Sequence, residues 1–248
     1  MYNILISGYY GFDNIGDESI LRTLVSSLRE HIPNCSLTVL SHNPASTREK
    51  YGVEAVDRMS PMAILRAVKK CDMLISGGGS LLQDVTSSKS LHYYLSIIRC
   101  AEFFHKKVFI YSQGIGPIDR PGNRRAAAAA LKRADGIVVR DERSAALLEE
   151  IGIAREKVVI TADPVIRMKK PDGDVGAEIL QKAGVSLGGR LTVGWAIRER
   201  DTDSRFVKEL LRSIQMMKDK YNAQSVLIPF HYEEDGEVCR HIAAQLPD

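Results

Sequence analysis

The feature that most constrains this chain is a glycine-bearing stretch set between a short apolar run and an amphipathic one. Ile4, Leu5 and Ile6 lead into Gly8-Tyr9-Tyr10-Gly11-Phe12-Asp13-Asn14-Ile15-Gly16-Asp17-Glu18. Ile20, Leu21, Leu24, Val25 and Leu28 then follow at helical spacing. An apolar run followed by a 3.6-residue period reads as strand, loop, helix. Glycines in such a loop permit tight turns and close approach of a ligand to the backbone. The loop delivers a helix N-terminus, whose amides and dipole favour an anion. Gly11, Asn14 and Gly16 are therefore candidate contacts to a phosphate, pyrophosphate or carboxylate. Asp17 faces that ligand or only steadies the first helical turn. The spacing G-x-x-G-x-x-x-x-G-D matches neither the dinucleotide fingerprint nor a phosphate loop with its lysine, which counts against a Rossmann dehydrogenase.

The same alternation continues along the chain. Strands are predicted over 36–41, 53–56, 71–76, 107–112, 136–139 and 157–161. Helices are predicted over 44–51, 61–70, 91–106, 123–133 and 142–151. Repeated strand–helix units predict an α/β fold with a doubly wound parallel sheet, here a Rossmann-like N-terminal domain over 1–165. Residues 166–189 read as a linker region, with Lys169, Lys170, Pro171, Asp172 and Gly173 as loop chemistry and a helix near 175–183. A C-terminal Rossmann-like domain begins at 190, with strands over 191–197 and 224–230 and helices over 206–221 and 234–246. Two strands and two helices fall short of a doubly wound domain, so the domain over 190–248 is expected to be incomplete and the chain a partial sequence.

Composition narrows the function classes. With 34 basic and 31 acidic residues among 248, the net charge of +3 is too mild to indicate nucleic acid and is compatible with a small anionic ligand. No apolar run approaches the 18 residues of a membrane span. Peripheral contact with an acidic membrane surface is compatible with the charge. Met1 leads directly into a strand, so no secretory leader is expected and the cytoplasm is the expected compartment. Cys35, Cys71, Cys100 and Cys239 form no paired motif and the six histidines no H-E-x-x-H, so no metal site is expected.

The candidate polar residues all fall just after predicted strands: Asn14, Asp17, Gln83, Asp84, Gln113, Arg140, Asp141, Asp163, Arg198 and His231. In open parallel sheets, ligands bind at the carboxyl ends of the strands, near the switch in strand order. Gly77, Gly78 and Gly79 form a second backbone-approach loop, and Gln113 and Gly114 open a third; each reads equally as a tight turn. Arg140 offers a planar fork for a phosphate or carboxylate, or an ion pair with Asp141 or Asp163. Arg198 has the same two readings, and His231 reads as a ligand contact or a surface-loop histidine. Tyr9, Tyr10 and Phe12 fit a sugar ring or a hydrophobic lid.

Residues 6–11 and 14–18, Gly77-Gly78-Gly79-Ser80-Leu81-Leu82-Gln83-Asp84, Gln113-Gly114-Ile115-Gly116-Pro117, Val139-Arg140-Asp141 and Ala162-Asp163-Pro164 together resemble the polysaccharide pyruvyl transferases. The resemblance is greatest to the cell-wall-polymer branch that supports anchoring of surface-layer proteins. It implies a GT-B-like two-domain fold. It also implies transfer of a pyruvyl group from phosphoenolpyruvate, as donor substrate with no further cofactor, to N-acetylmannosamine. The acceptor would be a lipid-linked oligosaccharide at the inner face of the membrane, and the product a 4,6-ketal. Ketal formation needs acid–base groups at the reacting atoms and cations on the donor. Asp17 and Arg140 are the expected catalytic residues, with Arg198 and the amides of residues 77–79 as donor contacts. The family's late arginine–histidine motif has no counterpart before Asp248, so its histidine is expected further on. A nucleotide-sugar glycosyltransferase and a non-catalytic anion-binding module are the competing readings.

Overall fold

The computed structural model describes residues 2–170, 174–198, 203–231 and 233–246. Pro171, Asp172 and Gly173, part of the expected linker, lie outside the described residues. The chain divides into two compact units, Met1–Met168 and Lys169–Asp248.

The first unit is built on seven strands. They are β1 (Tyr2–Tyr10), β2 (Cys35–Ser41), β3 (Glu54–Asp57), β4 (Met73–Gly77), β5 (Lys107–Gln113), β6 (Gly136–Val139) and β7 (Val158–Ile160). All pair in parallel, in the order β3-β2-β1-β4-β5-β6-β7. Six helices connect them: α1 (Ile15–His31), α2 (Pro44–Tyr51), α3 (Pro61–Lys70), α4 (Ser88–Phe103), α5 (Pro121–Leu131) and α6 (Glu142–Glu150). Consecutive apolar residues on the inner strands serve two cores, one on each sheet face, as expected for a sheet covered on both sides. Ile4 and Ile6 pack with Leu21, Leu24 and Val25 of α1. Leu5 and Leu74 pack with Leu91, Leu95 and Ile98 of α4, Leu131 of α5 and Leu148 of α6.

The helices start where local chemistry supplies caps. Asn14, Asn43, Ser60, Ser87 and Asp141 accept amides of the first turns of α1, α2, α3, α4 and α6. Proline opens α2, α3 and α5. The expected start at 91 moves to Ser88 because Ser87 caps there, and the expected start at 123 moves to Pro121.

β1 also runs further than the apolar triplet suggests. Gly8, Tyr9 and Tyr10 belong to the strand, and the glycine loop proper begins at Gly11. Gly8 serves a packing need there: a Cβ on it would fall 2.2 Å from the Tyr10 ring.

The second unit contains α7 (Val175–Lys182), β8 (Thr192–Ile197), α8 (Ser204–Tyr221), β9 (Gln224–Pro229) and α9 (Glu234–Ala243). β8 and β9 pair in parallel as a two-stranded sheet. Ile197, Leu210, Ile214, Cys239 and Ile242 form its core, and Ile197 is the one fully buried residue of the two strands. The fold is therefore α/β, a seven-stranded parallel sheet with a small second sheet.

Candidate active site

Strand order reverses between β1 and β4, so their carboxyl ends flank the crevice where open α/β sheets take ligands. At the end of β1, the Tyr10 hydroxyl donates to the Gly77 carbonyl at 2.7 Å, tying the two strand tips together. Burial, with the Asp17 charge adding, holds the Tyr10 phenol well above its ordinary pKa, so it remains a donor.

The loop after β1 is closed by its own side chains. Asn14 Oδ1 accepts the amides of Gly16 and Asp17 at 3.0 and 3.2 Å. Glu18 Oε1 accepts the Gly11 amide at 2.8 Å, and Glu18 Oε2 the Tyr51 hydroxyl at 2.5 Å. The Gly16 and Asp17 amides, expected to await an anion, thus have Asn14 as an internal stand-in. Asp17 sits in the first turn of α1 and reaches the neighbouring loop. A Cβ built on Gly79 would lie 2.7 Å from Asp17 Oδ1, and Gly78 and Gly79 both have positive φ, 74° and 67°. Only glycine both adopts that backbone and leaves room for the carboxylate.

Beyond the strand ends, the loops after β4 and β5 stay zipped together. The Gly114 amide donates to the Gly79 carbonyl at 3.0 Å, the Gly116 amide to Leu82 at 2.8 Å and the Asp84 amide to Pro117 at 3.1 Å. The third loop is fixed to α6 in turn: the Ile115 amide donates to Ser144 Oγ, which donates to the Asp141 carboxylate, each at 2.8 Å. Arg140 crosses this seam. Its Nη2 donates to Ser80 Oγ and its Nη1 to Asp163 Oδ2, both at 2.9 Å, while Nε stands 3.8 Å from Asp141 Oδ2. A Cβ on Gly114 would fall 2.8 Å from Nη2. The ion-pair reading of Arg140 is thus observed, and a side chain 31% exposed keeps one flank open.

Asp17, Gly79, Ser80, Gly114, Arg140 and Asp163 therefore run along one edge of the sheet. A cleft of about 440 Å³ opens on the Arg140 half, lined by Ser80, Gly114, Pro117, Arg124, Arg140 and Arg143 among others. Asp17 is not among its walls.

Three expected ligand contacts have other partners. Gln113 is fully buried and donates through Nε2 to the Ser76 carbonyl and hydroxyl at 2.8 and 2.9 Å, pinning β5 to β4. Its Oε1 is buried without a partner. Asp84, 6% exposed, accepts the Asp119 amide at 2.9 Å, the Arg120 amide at 3.1 Å and Asn123 Nδ2 at 2.8 Å, fastening the loop before α5. Burial pushes its carboxyl up, but these donors outweigh it and hold the pKa below the ordinary value. Gln83 bonds both ends of Thr86 within its own turn.

Arg198 and His231 belong to the second unit, where both follow strand tips paired side by side, Ile197 with Pro229. Arg198 is exposed. The His231 amide donates to Asp235 Oδ2 at 2.6 Å, and its ring lies 3.6 Å from Glu234. Among the described residues, no cluster of three His, Cys, Asp or Glu side chains could hold a metal ion, and no helix is long and apolar enough to cross a membrane. Sequence reasoning missed Arg58, a buried arginine behind the first loop. Nothing in its local sequence marks it, since its partners are contributed by residues 8–12 and 93–94.

A polysaccharide pyruvyl transferase family model matches residues 14–246. A curated relative, the amylovoran biosynthesis protein AmsJ of Erwinia amylovora, is 22% identical over 237 residues, covering 79% of this chain; the chain spans 56% of that relative's length. Among solved structures, MnaA of S. aureus with UDP superposes with a TM-score of 0.62 at 14% identity, covering 99% of this chain and 66% of that one. HepE (Alr3699) of Anabaena with UDP and glucose gives 0.61 at 12% identity over the same shares. At such identities the likeness carries the fold, which is GT-B-like. The match along nearly all of the sequence carries the family: this chain belongs to the polysaccharide pyruvyl transferases.

Proposed function

We propose that the protein moves a pyruvyl group from phosphoenolpyruvate to an N-acetylmannosamine residue of a lipid-linked cell-wall polysaccharide precursor. The product is a 4,6-ketal, as in the branch that serves surface-layer anchoring. The observation that carries this reading is the continuous edge from Asp17 through Gly79 and Ser80 to Arg140, which crosses the strand-order switch between β1 and β4.

The reaction requires a proton on the methylene carbon of the enol phosphate, attack of one sugar hydroxyl on the cation-like carbon, loss of inorganic phosphate, and closure by the second hydroxyl. Asp17 is the acid–base carboxylate, placed against a loop whose glycines admit close approach. Arg140 holds the donor's phosphate or carboxylate, oriented by Asp163 and Ser80 and already in place before the charge develops. The Arg140 cleft, with three arginines against Asp141 and Glu150, suits a doubly anionic donor better than a neutral one. Gly11, Gly16, Gly77, Gly78, Gly79 and Gly114 shape the approach. Arg198 and His231 stand as substrate-contact candidates of the second unit, and Asn14, Gln83, Asp84 and Gln113 hold the loops. The lipid of the acceptor places the reaction at the inner membrane face, reached by peripheral contact.

The test incubates the full-length gene product with phosphoenolpyruvate and a β-N-acetylmannosaminyl lipid analogue. Phosphate release with the mass gain of a ketal on the acceptor is the expected result. Protection and turnover with a uridine-diphosphate sugar, and none with phosphoenolpyruvate, would replace this reading with glycosyl transfer.

A further inference from the structure

Arg58 follows β3 and is 6% exposed. Its Nη1 donates to the Gly8 carbonyl at 3.0 Å and its Nη2 to the Tyr94 hydroxyl at 3.2 Å. Nε is buried without a partner, and among the described residues no carboxylate lies within ion-pair distance of the guanidinium. Aromatic rings take the place of the missing anion. Cζ lies 4.7 Å from the ring centre of Tyr93, 5.1 Å from Phe12, 5.5 Å from Tyr94 and 5.7 Å from Tyr9. Tyr93 completes the enclosure by donating its hydroxyl to the Arg58 carbonyl at 2.9 Å.

A guanidinium taken out of water without a carboxylate is unfavourable, and ring faces offset only part of that. An unbranched apolar side chain would fill the same space without the penalty. What the cation adds is a hold on two elements at once. Its side-chain partners lie either in residues 8–12, the approach to Asp17, or in Tyr93 and Tyr94 of α4. The same approach carries a column of rings: Tyr9 stacks on Phe12 with centres 4.1 Å apart and planes 6° apart, and Phe12 on His42 at 4.4 Å and 4°. Tyr9 is 39% exposed and His42 is exposed, so both ends of the column reach solvent. Burial raises the Tyr94 phenol, and Arg58, which bonds its hydroxyl, opposes that rise.

We propose that Arg58 is a positioning residue, clamping residues 8–17 against α4 so that Asp17 and the Tyr9–Phe12–His42 column stand in fixed places for the acceptor sugar. Its kinetic consequence rests on the ketal transfer proposed above; its structural consequence does not.

Two variants test it, each first checked for an intact fold by circular dichroism. Arg58→Met keeps the length and removes charge and fork; Arg58→Lys keeps the charge alone. Proton NMR reads the loop without turnover. The His42 ring protons lie over Phe12 and carry its ring-current shift, and His42→Gln identifies them. Arg58→Met should move those signals to the positions of a freely exposed histidine, and Arg58→Lys should move them part of the way. In the full-length protein Arg58→Met should lower kcat about 100-fold, the effect of a misplaced catalytic group. It should also raise the acceptor KM, while the phosphoenolpyruvate KM changes less than about twofold because Arg140 holds the donor. Arg58→Lys should recover part of the loss, and it supplies both readouts if Arg58→Met does not fold. Unchanged His42 signals and acceptor kinetics, with only Tm lowered, would make Arg58 a core residue and overturn the proposal. If the unmodified protein performs no transfer, the His42 signals decide alone: unmoved, they overturn the clamp; moved, they sustain it while the transfer reading falls.

Discussion

The two ends of the seven-stranded sheet share their strands and use polar side chains in opposite ways. At the carboxyl ends, groups from successive loops are tied to one another. Tyr10 reaches Gly77, Asp17 lies against Gly79, Arg140 joins Ser80 to Asp163, and Ser144 joins Ile115 to Asp141. At the amino ends, each contact fastens one pair of strand starts. Asp72 accepts the Asn3 amide and carboxamide at 2.9 and 3.2 Å, and Asp135 accepts Lys107 Nζ at 2.7 Å and the Val108 amide at 2.9 Å. Glu102, near the end of α4, is buried there with Oε1 unpartnered. Parallel topology explains the asymmetry. Each strand releases its loop at the same end, so long loops meet there, and a linked polar network is preorganised in a way that separate fasteners are not.

If that contrast is functional, substitutions at the carboxyl end should strike turnover and those at the amino end only stability. The largest effect is expected for Asp17→Asn, a fall in kcat of about 10²- to 10⁴-fold, the range for loss of an acid–base group, with thermal unfolding nearly unchanged. Arg140→Ala follows, with a fall of about 10²- to 10³-fold and a raised phosphoenolpyruvate KM. Near-normal rates for both, measured by phosphate release, would break the contrast at its functional end.

Asp84→Ala sharpens it. The network at this end also contains purely mechanical members, and loss of an acceptor serving three donors should cost about 2–3 kcal/mol in urea unfolding. Turnover of the fraction that stays folded should be unchanged. Because the folded pKa of Asp84 is depressed, its contribution is present above the ordinary carboxyl range and lost as pH falls through the folded value. The variant and the unmodified chain should therefore converge in acid.

Much of this end could be read from residue order alone. Apolar runs, caps and prolines sit within a few residues of the elements they set, so all seven strands of the first unit and the glycine loops between them are legible. What was illegible depends on distant partners. Asp84 looks like a ligand carboxylate until residues 35 to 39 positions away are seen to occupy it. Gln113 looks exposed at a strand end until Ser76 buries it. Arg58, which no sequence expectation singled out, is enclosed by four rings from β1, the loop after it and α4. Tyr10 looks like loop because no local pattern reveals its bond to Gly77, 67 residues on.

The smallest effect belongs to the amino end and has the opposite sign. Burial raises the Glu102 carboxyl pKa, ahead of the lowering pull of Arg133 and Arg99. A raised pKa means the group's stabilising contribution is complete below the unfolded carboxyl value and is lost as pH rises through the folded one. At neutral pH the ionised side chain therefore works against the fold. Glu102→Gln keeps the shape and removes the charge, so the variant should match the unmodified chain in acid and exceed it at pH 7 by less than about 1 kcal/mol, with kcat untouched. Thermal unfolding at several pH values reads both limbs. A variant less stable at pH 7 would mean that the amino end, too, puts a buried charge to use, and the division of labour between the two ends would not hold.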